Sequence, residues 1–205
     1  MTPSGSPVTP PALHRIPWAT LLLCIATLTL SVHAAIEVSG SWSGAVRIVD
    51  LEAYGLRFGH LRGFELWRLV TAQLVHVKHL HMLGDVVCLA WVGAVVERRV
   101  GAARLLALWL VGGAIAMLLG TLTVPYPWNL GTGSSQAIMA ISGAGLWWAV
   151  TGLDRSRSLL WPVGFTIALA LAIDVVHVLH PKVGHVAGVL IGMLIAARMR
   201  APNRG

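Results

Sequence analysis

Six apolar stretches follow one another along this chain, and they limit its fold more than any other feature. They cover about residues 16–36, 79–96, 102–124, 135–151, 159–179 and 183–197. A helix needs roughly 20 mostly apolar residues to cross a bilayer. Only 11% of the residues are charged, whereas a soluble domain usually has about 25%. The pattern therefore predicts an all-α membrane protein with six transmembrane helices.

The basic residues between these stretches indicate how the helices are oriented. If all six stretches span the membrane, nine arginines fall on one side: Arg15, Arg98, Arg99, Arg104, Arg155, Arg157, Arg198, Arg200 and Arg204. Short loops rich in arginine usually face the cytoplasm, so both termini are predicted to be cytoplasmic. The basic residues are then topology signals in a protein surrounded by the lipid bilayer. The net charge of +7 is explained by these topology signals, so we expect no nucleic-acid partner.

This orientation divides the chain into three parts. A polar N-terminal tail covers residues 1–15, a six-helix membrane domain covers 16–200, and a basic C-terminal tail covers 201–205. Within the domain, residues 37–78 form a long loop on the outer side. The fourth and sixth apolar stretches are short, which favours packing inside the bundle. One alternative stays open for the first stretch, because residues 31–35 resemble a small-residue cleavage site after an apolar core.

Ser135 and His185 both lie where apolar stretches begin on the predicted outer side. Unpaired backbone N–H groups at a helix N-terminus, together with the helix dipole, stabilise an oxyanion. A neutral imidazole on a neighbouring helix can take the proton of a serine hydroxyl. Gly184, Gly188 and Gly192 are spaced so that another helix can approach closely. These features favour a hydrolytic serine–histidine pair, although ordinary helix packing with a capping serine is the alternative.

Ionisable residues at membrane depth are costly and often functional, and two more draw attention. His81 lies near the outer entrance of the second apolar stretch, at a depth similar to that of Ser135 and His185. Asp174 lies within the fifth stretch and is predicted to face the bundle interior with a tryptophan or histidine as its partner.

Five short motifs occur in a fixed order between residues 67 and 192. They are Trp67-Arg68, His76 with His81, Glu97-Arg98-Arg99-Val100-Gly101, Gly133-Ser134-Ser135 and His185-Val186-Ala187-Gly188. Together they resemble the motifs of the rhomboid family of intramembrane serine proteases. The resemblance implies a six-helix rhomboid-like bundle in the cell membrane, in a bacterium the inner membrane. It also implies proteolysis without a cofactor or metal, with membrane proteins as substrates.

The resemblance assigns a role to each residue of the expected site. Ser135 would be the nucleophile and His185 the general base of a dyad that has no acidic third member. His81 and the backbone N–H of Ser135 would bind the oxyanion, with His76 in a supporting role. Gly133 and Asp85 complete the expected supporting set: Gly133 belongs to the serine motif, and Asp85 lies one turn after His81. Trp67 and Arg68 would brace the outer loop.

Two positions depart from the family pattern. Asp85 stands where the family usually has asparagine, and Gln136 replaces the glycine after the serine. An ionised carboxylate cannot donate a hydrogen bond to an oxyanion. Either a protonated Asp85 or a charged His81 beside it would keep the site workable, and both remain open. Specialised bacterial branches of the family, such as the rhombosortases, are similarly compact.

Two other functions compete with proteolysis. One is a catalytically impaired rhomboid-like protein that binds membrane clients, which the changes at Asp85 and Gln136 would suit. The other is a membrane protein that binds a transition metal through the histidines and aspartates near the outer side: His76, His79, His81, His177, His180, Asp85 and Asp174. Such side chains are common ligands of zinc, although the chain contains no H-E-x-x-H motif.

Overall fold

The computed structural model describes residues 16–199, which form a bundle of long helices. Eight helices are numbered in chain order: α1 (Trp18–Ser39), α2 (Phe58–Arg62), α3 (Arg68–Leu74), α4 (His79–Val100), α5 (Ala102–Thr121), α6 (Ser135–Val150), α7 (Arg157–Val178) and α8 (Val183–Ala196). Helices α4 and α5 each contain a π-helical segment, at Leu89–Gly93 and Leu108–Gly112. The predicted all-α fold is confirmed for this part of the chain. The predicted tails, residues 1–15 and 201–205, lie outside the described residues.

Four of these helices are long and apolar enough to cross a membrane, namely α1, α4, α5 and α7. The remaining two long helices, α6 and α8, have 16 and 14 residues. The six apolar stretches of the sequence thus all form helices, but two of the helices are shorter than a full span. Gly101 separates α4 from α5 with a φ of +86°, a backbone conformation that glycine adopts without steric cost.

Helix α6 lies at the centre of the bundle. Most of its residues are buried, and it packs against α5, α7 and α8. The prediction that this stretch packs inside the bundle is therefore confirmed. For α8 the same prediction is wrong on one face, because Val186, Leu190 and Leu194 are 42–58% exposed. Helix α8 lies at the edge of the bundle, where its glycine face contacts α6 and its apolar face points outwards.

The contact between α6 and α8 is backbone against backbone. A Cβ atom added at Gly188 would lie 2.6 Å from the carbonyl oxygen of Gln136, and one at Gly192 would overlap the carbonyl oxygen of Ala140. Gly143 of α6 is closed off in the same way by the backbone of Val189. This close approach brings the N-terminal ends of the two helices side by side.

Buried polar side chains join the helices at the end of the bundle where α1 begins and α4 ends. The carboxylate of Glu97, near the end of α4, accepts the backbone N–H groups of Ala19 and Thr20 at 3.0 and 2.7 Å and so caps α1. Arg99 donates to Asp154 at 2.6 Å, in the loop between α6 and α7. Burial opposes ionisation of Asp154, but hydrogen bonds from Arg99 and Ser156 hold the pKa of its carboxyl below the ordinary value.

The long loop between α1 and α4 carries α2 and α3 and supports the segment that precedes α6. Arg68 is buried and donates to the carbonyl oxygen of Gly55 at 2.9 Å, as a bracing residue would. Leu56 and Gly131 exchange two backbone hydrogen bonds of 3.0 and 2.8 Å. Gly133 N–H donates to Ala72 O of α3 at 2.9 Å. The loop therefore fixes the chain directly before Ser135.

Candidate active site

Ser135 and His185 meet at the junction of α6 and α8. Ser135 is the first residue of α6, and His185 is the third residue of α8. The Oγ atom of Ser135 lies 2.9 Å from Nε2 of His185, and both side chains are buried. The glycine contact between the two helices produces this approach. A serine hydroxyl and an imidazole at this distance can pass a proton between them.

Asp174 of α7 binds the other ring nitrogen of His185. Its Oδ2 atom lies 2.7 Å from Nδ1 of His185 and accepts the backbone N–H of Lys182 at 2.9 Å. The residue is fully buried, with an exposed fraction of 0%. Because a carboxylate accepts hydrogen bonds, Nδ1 of His185 carries the proton, and the lone pair of Nε2 faces Ser135.

The contacts of Asp174 agree with one expectation from the sequence and differ from another. The sequence predicts either a tryptophan or a histidine as the partner of Asp174, and the structure has the histidine, His185. The family resemblance, however, implied a dyad without an acidic third member, whereas here a carboxylate contacts the histidine. The two residues are eleven positions apart, on either side of the turn between α7 and α8. The signal available in the sequence was a carboxylate at membrane depth, which is functional more often than not.

Asp85 is the centre of a second group of buried polar side chains. Its Oδ2 atom lies 3.0 Å from Nε2 of His76 and accepts the hydroxyl of Ser134 at 3.0 Å. His81 is farther away, with its Nε2 atom 3.9 Å from the same oxygen. The Ser31 hydroxyl donates to the carbonyl oxygen of Leu74 at 2.8 Å, and its oxygen lies 3.1 Å from Nδ1 of His76.

The position of Asp85 indicates which residues it contacts within the expected supporting set. Both open alternatives paired Asp85 with the oxyanion or with His81, but its nearest partners are His76 and Ser134. The carboxylate thus connects α4 to the residue directly before Ser135. This geometry is the one expected of a residue that supports the segment before Ser135.

We expect replacement of Asp85 to change stability according to what the new side chain accepts. Asp85→Leu leaves the buried His76 ring and the Ser134 hydroxyl without an acceptor, which should cost about 3 kcal/mol of unfolding free energy. Asp85→Asn keeps an acceptor oxygen and should cost less than about 1 kcal/mol. Reversible unfolding in mixed micelles measures both values. Equal losses for the two variants would contradict the supporting role.

A narrow cavity lies beside Ser135, between α4 and α7. Ser135, His81, Asp85 and His185 supply its polar lining, and apolar residues such as Met139 and Leu169 supply the rest. Its volume is about 70 Å³, roughly half of a 150 Å³ cavity that holds benzene. The arrangement can admit a small side chain or a backbone carbonyl to the serine.

Gly133 and Gln136 flank the serine. Gly133 has a φ of +96°, which favours glycine, and its Cα faces the His76 ring. The Oε1 atom of Gln136 lies 3.3 Å from Ser135 Oγ. A Cβ atom added at Gly184 of α8 would lie 3.2 Å from Cγ of Gln136. The larger residue at this position therefore fills space between the two helices beside the serine.

The histidines and aspartates considered for metal binding do not gather into one site. Within residues 16–199, no group of three or more His, Cys, Asp or Glu side chains is arranged to hold a metal ion. His177 and His180 are exposed at the C-terminal end of α7, and each contacts a backbone carbonyl oxygen, of Ile173 and Pro181 respectively.

Comparison with known proteins identifies the family. The family model described as the Rhomboid domain matches residues 63–202 of this chain. The chain belongs to the rhomboid family. The match confirms the resemblance to the rhomboid family that the five motifs indicated. With its apolar helices, this rhomboid-family chain is a multi-pass membrane protein.

Several rhomboid relatives are similar to the chain. The rhomboid protease GluP of Bacillus subtilis is 28% identical over 184 residues, which cover 87% of this chain and 34% of that protein. Rhomboid-like protease 3 of Toxoplasma gondii is 31% identical over 98 residues, covering 48% of this chain and 34% of that protein. RHOMBOID-like protein 7 of Arabidopsis thaliana is 29% identical over 80 residues, covering 39% of this chain and 25% of that protein. The chain thus spans about a third or less of the length of these relatives.

Proposed function

We propose that this rhomboid-family protein is an intramembrane serine endopeptidase that cleaves transmembrane or membrane-anchored proteins. The observation that carries the proposal is the 2.9 Å contact between Ser135 Oγ and His185 Nε2. Two relatives are named as proteases, GluP and rhomboid-like protease 3. The proposal therefore rests on a matched family and on a site whose parts can perform the chemistry.

The proposed reaction uses the two side chains in turn. His185 Nε2 takes the proton of Ser135 as Oγ forms a bond to the carbonyl carbon of the substrate. The tetrahedral intermediate collapses when His185 returns the proton to the amine nitrogen, which leaves as the C–N bond breaks. Water, deprotonated by His185, then attacks the carbonyl carbon of the ester. The bond from that carbon to Oγ of Ser135 breaks as His185 returns the proton to Oγ, which releases the carboxylic acid product and frees the enzyme. No cofactor enters any of these steps.

The oxyanion of the intermediate needs hydrogen-bond donors close to the serine. The backbone N–H of Ser135 is one of the unpaired groups at the start of α6. His81 lines the same cavity and supplies a side-chain donor. Asp85 supports these groups through His76 and Ser134 rather than by donating to the oxyanion.

The membrane orientation is part of the proposal. Six helices with cytoplasmic termini put the starts of α6 and α8, and so the serine and the histidine, at the outer side of a cell membrane, in a bacterium the inner membrane. Arginines between the helices support this orientation. Backbone groups of a spanning helix are hydrogen-bonded within the helix. Substrates therefore need helix-destabilising residues, which let the helix unwind locally and expose a peptide bond to the site.

A serine-reactive fluorophosphonate probe tests the proposal without a known substrate. We expect wild type to label covalently and Ser135→Ala to give no labelling above background, because the probe reacts with an activated serine. Ser142→Ala is the matched control, since Ser142 is a buried serine on the same helix but away from His185. It should label like wild type. Wild type labelling no better than Ser135→Ala would refute the protease and favour a client-binding protein.

A further inference from the structure

Asp174 carries an inference that goes further than the proposed dyad and rests on the proposed function. We infer that Asp174 is a positioning residue that makes Ser135, His185 and Asp174 a hydrogen-bonded triad. Its carboxylate lies 2.7 Å from Nδ1 of His185, which in turn lies 2.9 Å from Ser135 Oγ. The family resemblance implies only the serine and the histidine.

The surroundings of Asp174 hold its carboxylate in one place. Oδ2 accepts the backbone N–H of Lys182 at 2.9 Å as well as the proton of His185. The Nζ atom of Lys182 lies 3.3 Å from the second oxygen, Oδ1. Three contacts from the turn and first residues of α8 thus fix the acid, which comes from the last turns of α7. A fixed acceptor can orient the imidazole that it binds.

A carboxylate in this position affects the reaction at two points. First, it keeps the proton of His185 on Nδ1, so that Nε2 has a free lone pair for the proton of Ser135. Second, its negative charge stabilises the imidazolium that forms when this proton is transferred. The aspartate itself does not take up a proton from the substrate or from the serine. Asp174 acts only through His185.

A purely structural function would explain the same contacts differently. In that case Asp174 would fasten the turn between α7 and α8 through Lys182, and its loss would lower the folded fraction alone. The two explanations differ in what happens when His185 is absent. Positioning requires His185, whereas fastening the turn does not. The matched control is Asp154, a carboxylate that also binds a cation and a backbone N–H but lies far from the serine.

The test measures the second-order rate of fluorophosphonate labelling for the full chain in micelles, per folded molecule. We expect Asp174→Asn to slow labelling about 100-fold or more, because the amide can donate to Nδ1 and select the wrong tautomer. Asp154→Asn should keep the wild-type rate. Asp174→Glu, which retains a carboxylate, should label faster than Asp174→Asn. In a His185→Ala background, Asp174→Asn should cause no further loss, since residues that act as a unit are not additive.

The possible outcomes separate this inference from the proposed function. If wild type labels through Ser135 and Asp174→Asn labels within about threefold of it, the triad is refuted and the protease stands. A further loss in the His185→Ala background equal to the loss in wild type also refutes the triad. If Asp174→Asn does not fold, the labelling rate of Asp174→Glu is the deciding measurement. The triad is refuted if Asp174→Glu labels no faster than His185→Ala. If wild type does not label at all, both proposals fail.

Discussion

Replacing His185 with alanine is expected to lower the cleavage of a transmembrane substrate by about 1000-fold or more, because the serine then has no base to take its proton. Ser135→Ala should cause the same loss, and the double variant should lose no more than either single one. The reason is geometric. The 2.9 Å contact makes the serine and the histidine one unit, so that removing either part removes the function of both.

A fluorogenic peptide that spans a vesicle membrane and contains helix-destabilising residues would measure these rates. The control is His33→Ala, since His33 is an exposed histidine on α1 whose contact is with Glu37. It should leave the rate unchanged. Losses that multiply in the double variant would show that Ser135 and His185 contribute separately, and the proposed mechanism would be wrong.

The second large effect is expected at Gly192, where α8 crosses α6. In Gly192→Ala the new methyl group would overlap the carbonyl oxygen of Ala140, and a backbone atom cannot turn away as a side chain can. We expect a loss of about 3 kcal/mol in unfolding free energy, as for an overpacked core. Labelling of the folded protein should also fall about 100-fold, because a displaced α8 moves His185 away from Ser135.

Gly164→Ala is the matched control for this substitution. Gly164 lies within α7, and a Cβ atom there would meet nothing within 4 Å. Alanine is favoured over glycine in a helix by about 1 kcal/mol, so this variant should be at least as stable as wild type and label normally. Thermal unfolding in detergent and labelling rates give both results. Similar losses at the two glycines would refute the proposed importance of the α6–α8 crossing.

The sequence predicted the parts of the fold that depend on local patterns. Apolar runs bounded by polar residues located the long helices, and the starts of α6 and α8 at Ser135 and Val183 match those of the predicted stretches. Glycine spacing predicted that α8 approaches another helix closely, as Gly188 and Gly192 do. Such features repeat at the period of the helix, so a single chain reveals them.

The contacts made across turns could not be predicted in this way. Asp174 reaches His185 because Leu179, with a φ of 64°, ends α7 and lets the chain fold back on itself. Asp85 lies closer to His76 than to His81 because the segment after α3 places the His76 ring between α4 and Ser134. Neither choice follows from residue spacing. Both depend on where a turn directs the next side chain.

The cap that Glu97 places on α1 has a consequence for the integrity of the molecule. A form of the protein that lost its first helix would leave a buried carboxylate without the three donors of Ala19 and Thr20. It would also lose Ser31, which holds the ring of His76. The first helix is thus tied at its N-terminal end to Glu97 of α4 and, in its C-terminal half, through Ser31 to the His76 ring. Truncated or fused forms that replace this helix would lack both the Glu97 contacts and the Ser31 contact.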